Sequence, residues 1–392
     1  MKQEPQAKTP PKKKKTNIVL RLLAFLLTAA LVLGALALVV YRDRFNLNAL
    51  KRWLAYRDLE TSESGQAAPF THAGGDKLSL AYLDNGILLS SAGGAHYYSF
   101  SGEEYAQEVT ALDNPILSSS GQTGVVYDAG GQSLFLFRGT EEVFSLSLKG
   151  NSDLLSARVN DEGWLAVTAQ QSGYKGSVTV YNAEGKEVIQ INLSSTFAVD
   201  AVLSPDCKTV AVVTMDQSGG VFSSEVLFYP VDRTEPSARA SLGSAIVLDL
   251  DYEAECLWVM GEDRLFTVAP DGSGQSSYAL GRLHLKGCDL GGEGFALLLT
   301  GRYRAGNANQ ALVIGPDGSL LNSHDLLTPV LDYSGAGRYY ALLTGSDLTI
   351  YDAQSGISAA LEETLGARRV SLQDDGSALL ADSQQAWLYI PN

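Results

Sequence analysis

From about residue 70 the apolar positions recur in a unit roughly 40 residues long, the length of one small antiparallel sheet. Its clearest copy is residues 157–193. A turn, Asn160-Asp161-Glu162-Gly163, leads into the apolar strand Trp164 to Thr168. Val178-Thr179-Val180-Tyr181 follows, then a turn at Asn182 to Gly185, then a strand in which Ile189, Ile191 and Leu193 alternate with Gln190 and Asn192. That period of two marks a strand with two unlike faces. The turn-to-strand junction recurs at Gly86, Gly124, Gly163, Cys207, Ala254, Gly294, Gly337 and Gly376, at intervals of 38 to 47 residues. An aromatic third strand recurs with it, as at Leu134 to Phe137, Val226 to Tyr229, Leu265 to Val268, Leu348 to Tyr351 and Trp387 to Ile390.

Four strands per unit at this period predict an all-β fold, a β-propeller of four-stranded antiparallel blades over residues 68–392. Eight junctions predict eight blades, or seven if residues 70–112 do not form one. The last unit stops at Asn392 after three strands, and an open strand edge invites aggregation. Residues 68–72 (Ala-Pro-Phe-Thr-His) are therefore expected to supply the missing strand.

A different pattern precedes the repeats. Residues 18–41 are apolar apart from Arg21, and the uninterrupted run Leu22 to Tyr41 matches the ~30 Å hydrocarbon core of a bilayer when helical. The segment reads as a transmembrane signal-anchor rather than a cleaved leader, because Ala35-Leu36-Ala37 lies inside the run. Seven Lys/Arg precede it and five follow it up to Arg57. That balance predicts a cytoplasmic tail (1–17) and an extracytoplasmic propeller. In the connecting residues 42–67, Leu47, Leu50, Trp53 and Leu54 fall at helical spacing, which predicts a short amphipathic helix on the membrane surface and then a flexible linker.

The net charge of −15 conceals two opposed regions. Residues 1–57 hold 12 Lys/Arg and 2 acidic residues, while the rest holds 17 basic and 42 acidic residues. An acidic body of that kind repels phosphate backbones, so no nucleic-acid partner is expected. Cys207, Cys256 and Cys288 are odd in number and widely spaced, which fits neither a disulfide framework nor a zinc site.

Turns such as Ser204-Pro205-Asp206 and Gly315-Pro316-Asp317-Gly318, each followed by an apolar strand, resemble those of WD-like and quinoprotein-like propellers of bacterial envelopes. The layout of Lys-rich tail, single span, Trp-containing juxtamembrane helix and Gly-rich repeats also resembles an uncharacterised domain-of-unknown-function family of anaerobic Gram-positive bacteria. The resemblance implies membrane localisation and no known activity. The Trp-Asp and Gly-His signatures of true WD repeats are absent.

No Gly-x-Ser-x-Gly elbow is present, and the four histidines (His72, His96, His284, His324) are dispersed and read as surface or turn residues. The acidic stretches Asp249-Leu250-Asp251, Asp374-Asp375-Gly376 and Pro270 to Gly274 lack the carboxylate spacing of a calcium loop and read as turn formers. No catalytic residue, cofactor or metal is assigned. Three connections between second and third strands are long: Ala169 to Gly176, Met215 to Ser224 and Thr300 to Gln310. They share one face of the ring and bear Tyr174, Lys175, Phe222, Arg302, Tyr303 and Arg304, residue types enriched at binding hot spots. The expected function is an anchored extracytoplasmic module that binds a protein or envelope component through that face. A small-ligand sensor or envelope assembly factor is the alternative. An enzyme whose site is drawn from several blades comes third.

Overall fold

The computed structural model describes residues 47–391 apart from 58, 84–85, 151 and 219, together with 22–23, 25–29 and 32. Eight four-stranded antiparallel sheets make up the large domain, which is an eight-bladed propeller. Seven blades run in simple chain order: residues 79–109, 115–147, 154–193, 197–243, 247–279, 284–325 and 330–361. In the eighth, the strands Arg369–Leu372, Ala378–Ala381 and Gln385–Tyr389 are completed by Phe70–Thr71. Phe70 stands opposite Ala386, and the pairing continues where the amide of Ala67 donates to the carbonyl of Leu388 at 2.8 Å. The closing strand lies where the truncated last repeat requires it.

The core is not one mass but eight layers, one in each seam between neighbouring blades. This explains the apolar second strands. Leu257–Gly261 and Ala296–Gly301 are buried along their whole length, since a neighbouring blade covers each face. Outer strands such as Glu187–Leu193 alternate exposed and buried positions instead. The seam between blades 8 and 1 has its own cluster (Leu379, Leu388, Ile87, Leu89), to which Tyr56 and Ala67 are added from before the ring.

The recurring junction plays two roles. Gly163, Gly294, Gly337 and Gly376 sit in the first turn of their blades with positive φ, and Cys207 adopts φ +57° at the same place. Gly86 and Gly124, read as turn residues, lie inside strands. At Gly124 a Cβ would press to 2.5 Å from Leu88 of blade 1, so packing between blades selects glycine there. Asp249-Leu250-Asp251, read as a turn, belongs to the inner strand Val247–Tyr252. The Met215 to Ser224 connection is an extension of the hairpin Thr209–Ser218 and Val221–Pro230, paired out to Ser218 and Val221.

The proposed span 18–41 falls largely outside the described residues. Leu22, Leu23, Phe25, Leu26, Leu27 and Val32 are helical and exposed. Among the described residues no helix is long and apolar enough to cross a membrane.

Candidate functional site

Strand direction divides the ring into two faces. The turns joining first to second and third to fourth strands emerge on one, called here the turn face. The connections from second to third strand and from blade to blade emerge on the other, the loop face. Tyr174, Lys175, Phe222, Arg302, Tyr303 and Arg304 all belong to the loop face.

They form two groups rather than one. In blades 3 and 4, the ammonium of Lys175 donates to the carbonyl of Ser195 at 2.5 Å, pairs with Asp216 at 3.6 Å and stands over the Phe197 ring. Lys175 is thus a strut between two blades and not a free charge. Tyr174, Phe222 and Val221 stay exposed beside it. In blade 6, Arg302, Tyr303 and Arg304 lie in an exposed arm, and the ammonium of Lys286 donates to the Arg304 carbonyl at 2.7 Å. The short hairpin of blade 5, between Gly261 and Arg264, separates the groups.

The inner strands line the central channel, and those of blades 3 to 7 share a device that the sequence reading missed. Each has a bulge near its loop-face end, which leaves Leu155, Val199, Leu248, Lys286 and Leu331 unpaired in their ladders. The next residue in each strand is Ser156, Asp200, Asp249, Gly287 and Asp332. These carboxylates stitch blades that share no strand pairing. Asp332 accepts the amide of Val370 in blade 8 at 2.9 Å, and Asp200 accepts from Ser156 and Arg158 of blade 3. Superposing the repeats would have exposed a polar residue at one depth of the inner strands of blades 3, 4, 5 and 7, with Gly287 in its place in blade 6.

Toward the turn face, on the inner strands and in the turn that follows that of blade 5, lie carboxyls pushed away from their ordinary range. Burial raises Asp251 to about 7, against the opposing pull of Arg158. Burial likewise raises Asp289 to about 6, although the amides of Gly291 and Gly335 favour its charged form. Glu253 is raised to about 7 by burial while accepting from Trp258 Nε1 at 2.9 Å and the Gly294 amide at 3.0 Å. Arg158 is held above its ordinary value: burial opposes its charge, but Asp200 and Asp249 outweigh it. Burial pushes the thiols of Cys256 and Cys288 up to about 12, so neither is an activated nucleophile.

Two of the four histidines are interior rather than surface groups. His72 and His96 are buried, and His96 Nδ1 lies 2.8 Å from Glu104. His324 packs on Tyr351 and Tyr340, whose rings stack at 4.9 Å. Among the described residues no group of three or more His, Cys, Asp or Glu side chains is placed to hold a metal ion.

On the turn face lies the helix Leu47–Tyr56. Arg52, only 7% exposed, donates to the Asp375 carbonyl at 2.5 Å, and Lys51 pairs with Asp374 at 3.0 Å. The Tyr56 hydroxyl lies 2.8 Å from that of Tyr82 in blade 1 and 2.9 Å from Ser377 Oγ in blade 8. The predicted helix is present and is fastened to the propeller through its Arg52/Tyr56 side, one turn apart. Leu54 remains 56% exposed.

Residues 56–252 match the model of a family of unknown function, DUF5711. The chain belongs to this family. The match covers the helix end, blades 1 to 4 and the inner strand of blade 5, the part containing the Lys175 strut and Arg158. No curated protein matches the chain. Among solved structures, the computationally designed Ika8 protein is 10% identical over 84% of this chain and 98% of its own, with a TM-score of 0.56. BamB from Moraxella catarrhalis is 14% identical over 82% of this chain and 96% of its own, at 0.49. The C-terminal WD40 domain of Sif2 is 12% identical over 72% and 97%, at 0.44. At such identities the likeness concerns the fold alone.

Proposed function

We propose that this DUF5711 protein is a membrane-tethered, extracytoplasmic binding module that holds a protein or envelope component on its loop face. One observation carries the choice of face. The exposed large apolar side chains of the propeller lie either on outer strands, as at Val143 and Leu320, or at the loop face, as at Tyr174, Phe197, Phe222, Ile246, Tyr303 and Leu327. None lies in a described connection of the turn face. Exposed apolar groups concentrated on one side mark an interaction surface, and the turn face is where the helix following the apolar segment docks.

The test uses the full chain in its own membrane. Externally added protease should reach a C-terminal tag on intact cells, and crosslinking should join the propeller to a partner. Tyr174→Ser with Phe222→Ser or Arg302→Ser with Tyr303→Ser should weaken that crosslink at unchanged abundance. A protected tag, or a crosslinking pattern indifferent to both pairs, would end the reading.

A further inference from the structure

We propose that the loop-face mouth of the central channel is an apolar collar flanked by a basic arc, built to take a peptide segment whose apolar side chains are bordered by carboxylates. The proposal deepens the binding-module reading and rests on it.

The collar follows from the bulges. An extra residue in one strand is freed from the ladder and its side chain is re-aimed. Here that happens at matching depth in five successive inner strands, and the freed residues are Leu155, Val199, Leu248, Lys286 and Leu331. Four are apolar. Leu248 and Leu331 are 54% and 42% exposed although they belong to the strands lining the channel. Folding alone does not require leucine at such positions. Phe197 and Ile246, at the loop-face ends of the neighbouring strands, widen the same apolar rim.

The position in blade 6 breaks the pattern, and it does so with a charge. Lys286 holds the Arg304 carbonyl and so ties the arm of residues 302–309 to the collar. That arm contains no acidic residue, and Arg302, Tyr303 and Arg304 are all exposed, Tyr303 by 77%. Arg282, in the connection entering blade 6, is exposed on the same side. A body with 17 basic and 42 acidic residues beyond residue 57 thus gathers four cations at one sector of one channel mouth. Like charges are gathered against the domain's overall sign where an opposite charge is to be met.

Charge complementarity selects an acidic occupant, and the collar selects an apolar one. The bilayer reached through residues 18–41 is not that occupant, since the preceding helix is fastened to the opposite face. An apolar peptide with acidic flanks satisfies both conditions, with apolar side chains seated among Leu248, Leu331 and Phe197 and carboxylates on Arg302 and Arg304.

A phage-displayed library of random peptides, panned on the detergent-solubilised full chain, tests this. Enriched peptides should combine Asp or Glu with Leu, Ile, Phe or Trp. Their affinity should fall about tenfold or more on Leu248→Ser/Leu331→Ser and on Arg302→Glu/Arg304→Glu, but not on the outer-strand variant Leu320→Ser. Melting temperatures of all variants should match the parent, these positions being exposed. Basic or wholly polar peptides, or peptides that bind the collar variants unchanged, overturn the proposal. If affinity falls instead on Tyr174→Ser/Phe222→Ser, the loop face stands as the binding face and the collar assignment fails. If nothing enriches, the peptide proposal fails, and the loop-face reading is decided separately by the crosslinking of the Tyr174/Phe222 and Arg302/Tyr303 variants.

Discussion

Arg158 of blade 3 reaches past blade 4 to Asp249 of blade 5, Nη2 to Oδ1 at 2.8 Å. The same guanidinium binds Asp200 of blade 4 through Nε at 2.9 Å and the Leu250 carbonyl through Nη1 at 2.9 Å. One side chain therefore ties three blades whose inner strands are not hydrogen-bonded to one another as ladders. Removing it leaves two partly covered carboxylates without their cation. Arg158→Met should cost about 3 kcal/mol, read as a lower denaturation midpoint. Asp200→Asn and Asp249→Asn added to it should restore part of the loss. A midpoint unchanged by Arg158→Met would show that the ring does not depend on this link.

Three carboxyls with raised values should make stability fall as pH rises. Asp251 and Glu253, at about 7, and Asp289, at about 6, have folded-state values above those of the unfolded chain. The folded chain therefore holds the extra protons. Their stabilisation is complete below about pH 4 and is lost as pH climbs through 6 to 7. Asp251→Asn should flatten the profile between pH 5 and 8 by about 1 kcal/mol, the solvent at the channel reducing the full effect. A pH series of thermal melts checks it; parallel curves for parent and variant would refute the assignment.

The docked helix should detach without unfolding the ring. Tyr56→Phe removes a hydroxyl shared with Tyr82 and Ser377, and Arg52→Ala removes the bond to the Asp375 carbonyl. Together they should cost about 2–3 kcal/mol of local stability. Amide exchange across residues 47–56 should then accelerate by ten-fold or more, while exchange in blades 3 to 6 stays as it was. Uniform acceleration throughout would mean that the helix is part of the ring's own stability.

Two glycines with nearly the same φ should respond differently to alanine. Gly65 (φ +82°) lies at the ring closure, where a Cβ would collide with the Ile390 carbonyl. Gly130 (φ +83°) faces open space. Gly130→Ala should cost about 1 kcal/mol from backbone strain alone. Gly65→Ala should cost clearly more and loosen the pairing of the first and last strands. Equal melting temperatures for the two variants would remove the steric argument.

Much of the frame was legible in the chain. The recurring apolar strand, aromatic strand and turn gave the blade, its number and the borrowed strand at Phe70–Thr71, because a blade repeats the same burial at the same spacing. Positions that depend on a neighbouring blade were not legible. Gly124 resembled a turn glycine, yet it is small because Leu88 fills the space beside it. Lys175 resembled a free binding residue, yet Asp216 and Ser195 hold it. The Leu47–Tyr56 helix was legible as a helix, but not that Arg52 would find the Asp375 carbonyl more than 300 positions away.

By itself the sequence determined the blade, since alternation and turn chemistry act over a few residues and recur wherever the same local pattern does. It also determined the charge divide between the basic N-terminal region and the acidic body. Only the tertiary structure decided which side chains meet at the channel mouth and what the three raised carboxyls feel. Bringing Leu248, Lys286 and Leu331 to one rim, or Arg158 to Asp249, depends on closing the ring. Contacts between distant repeats follow from that closure and not from any local pattern.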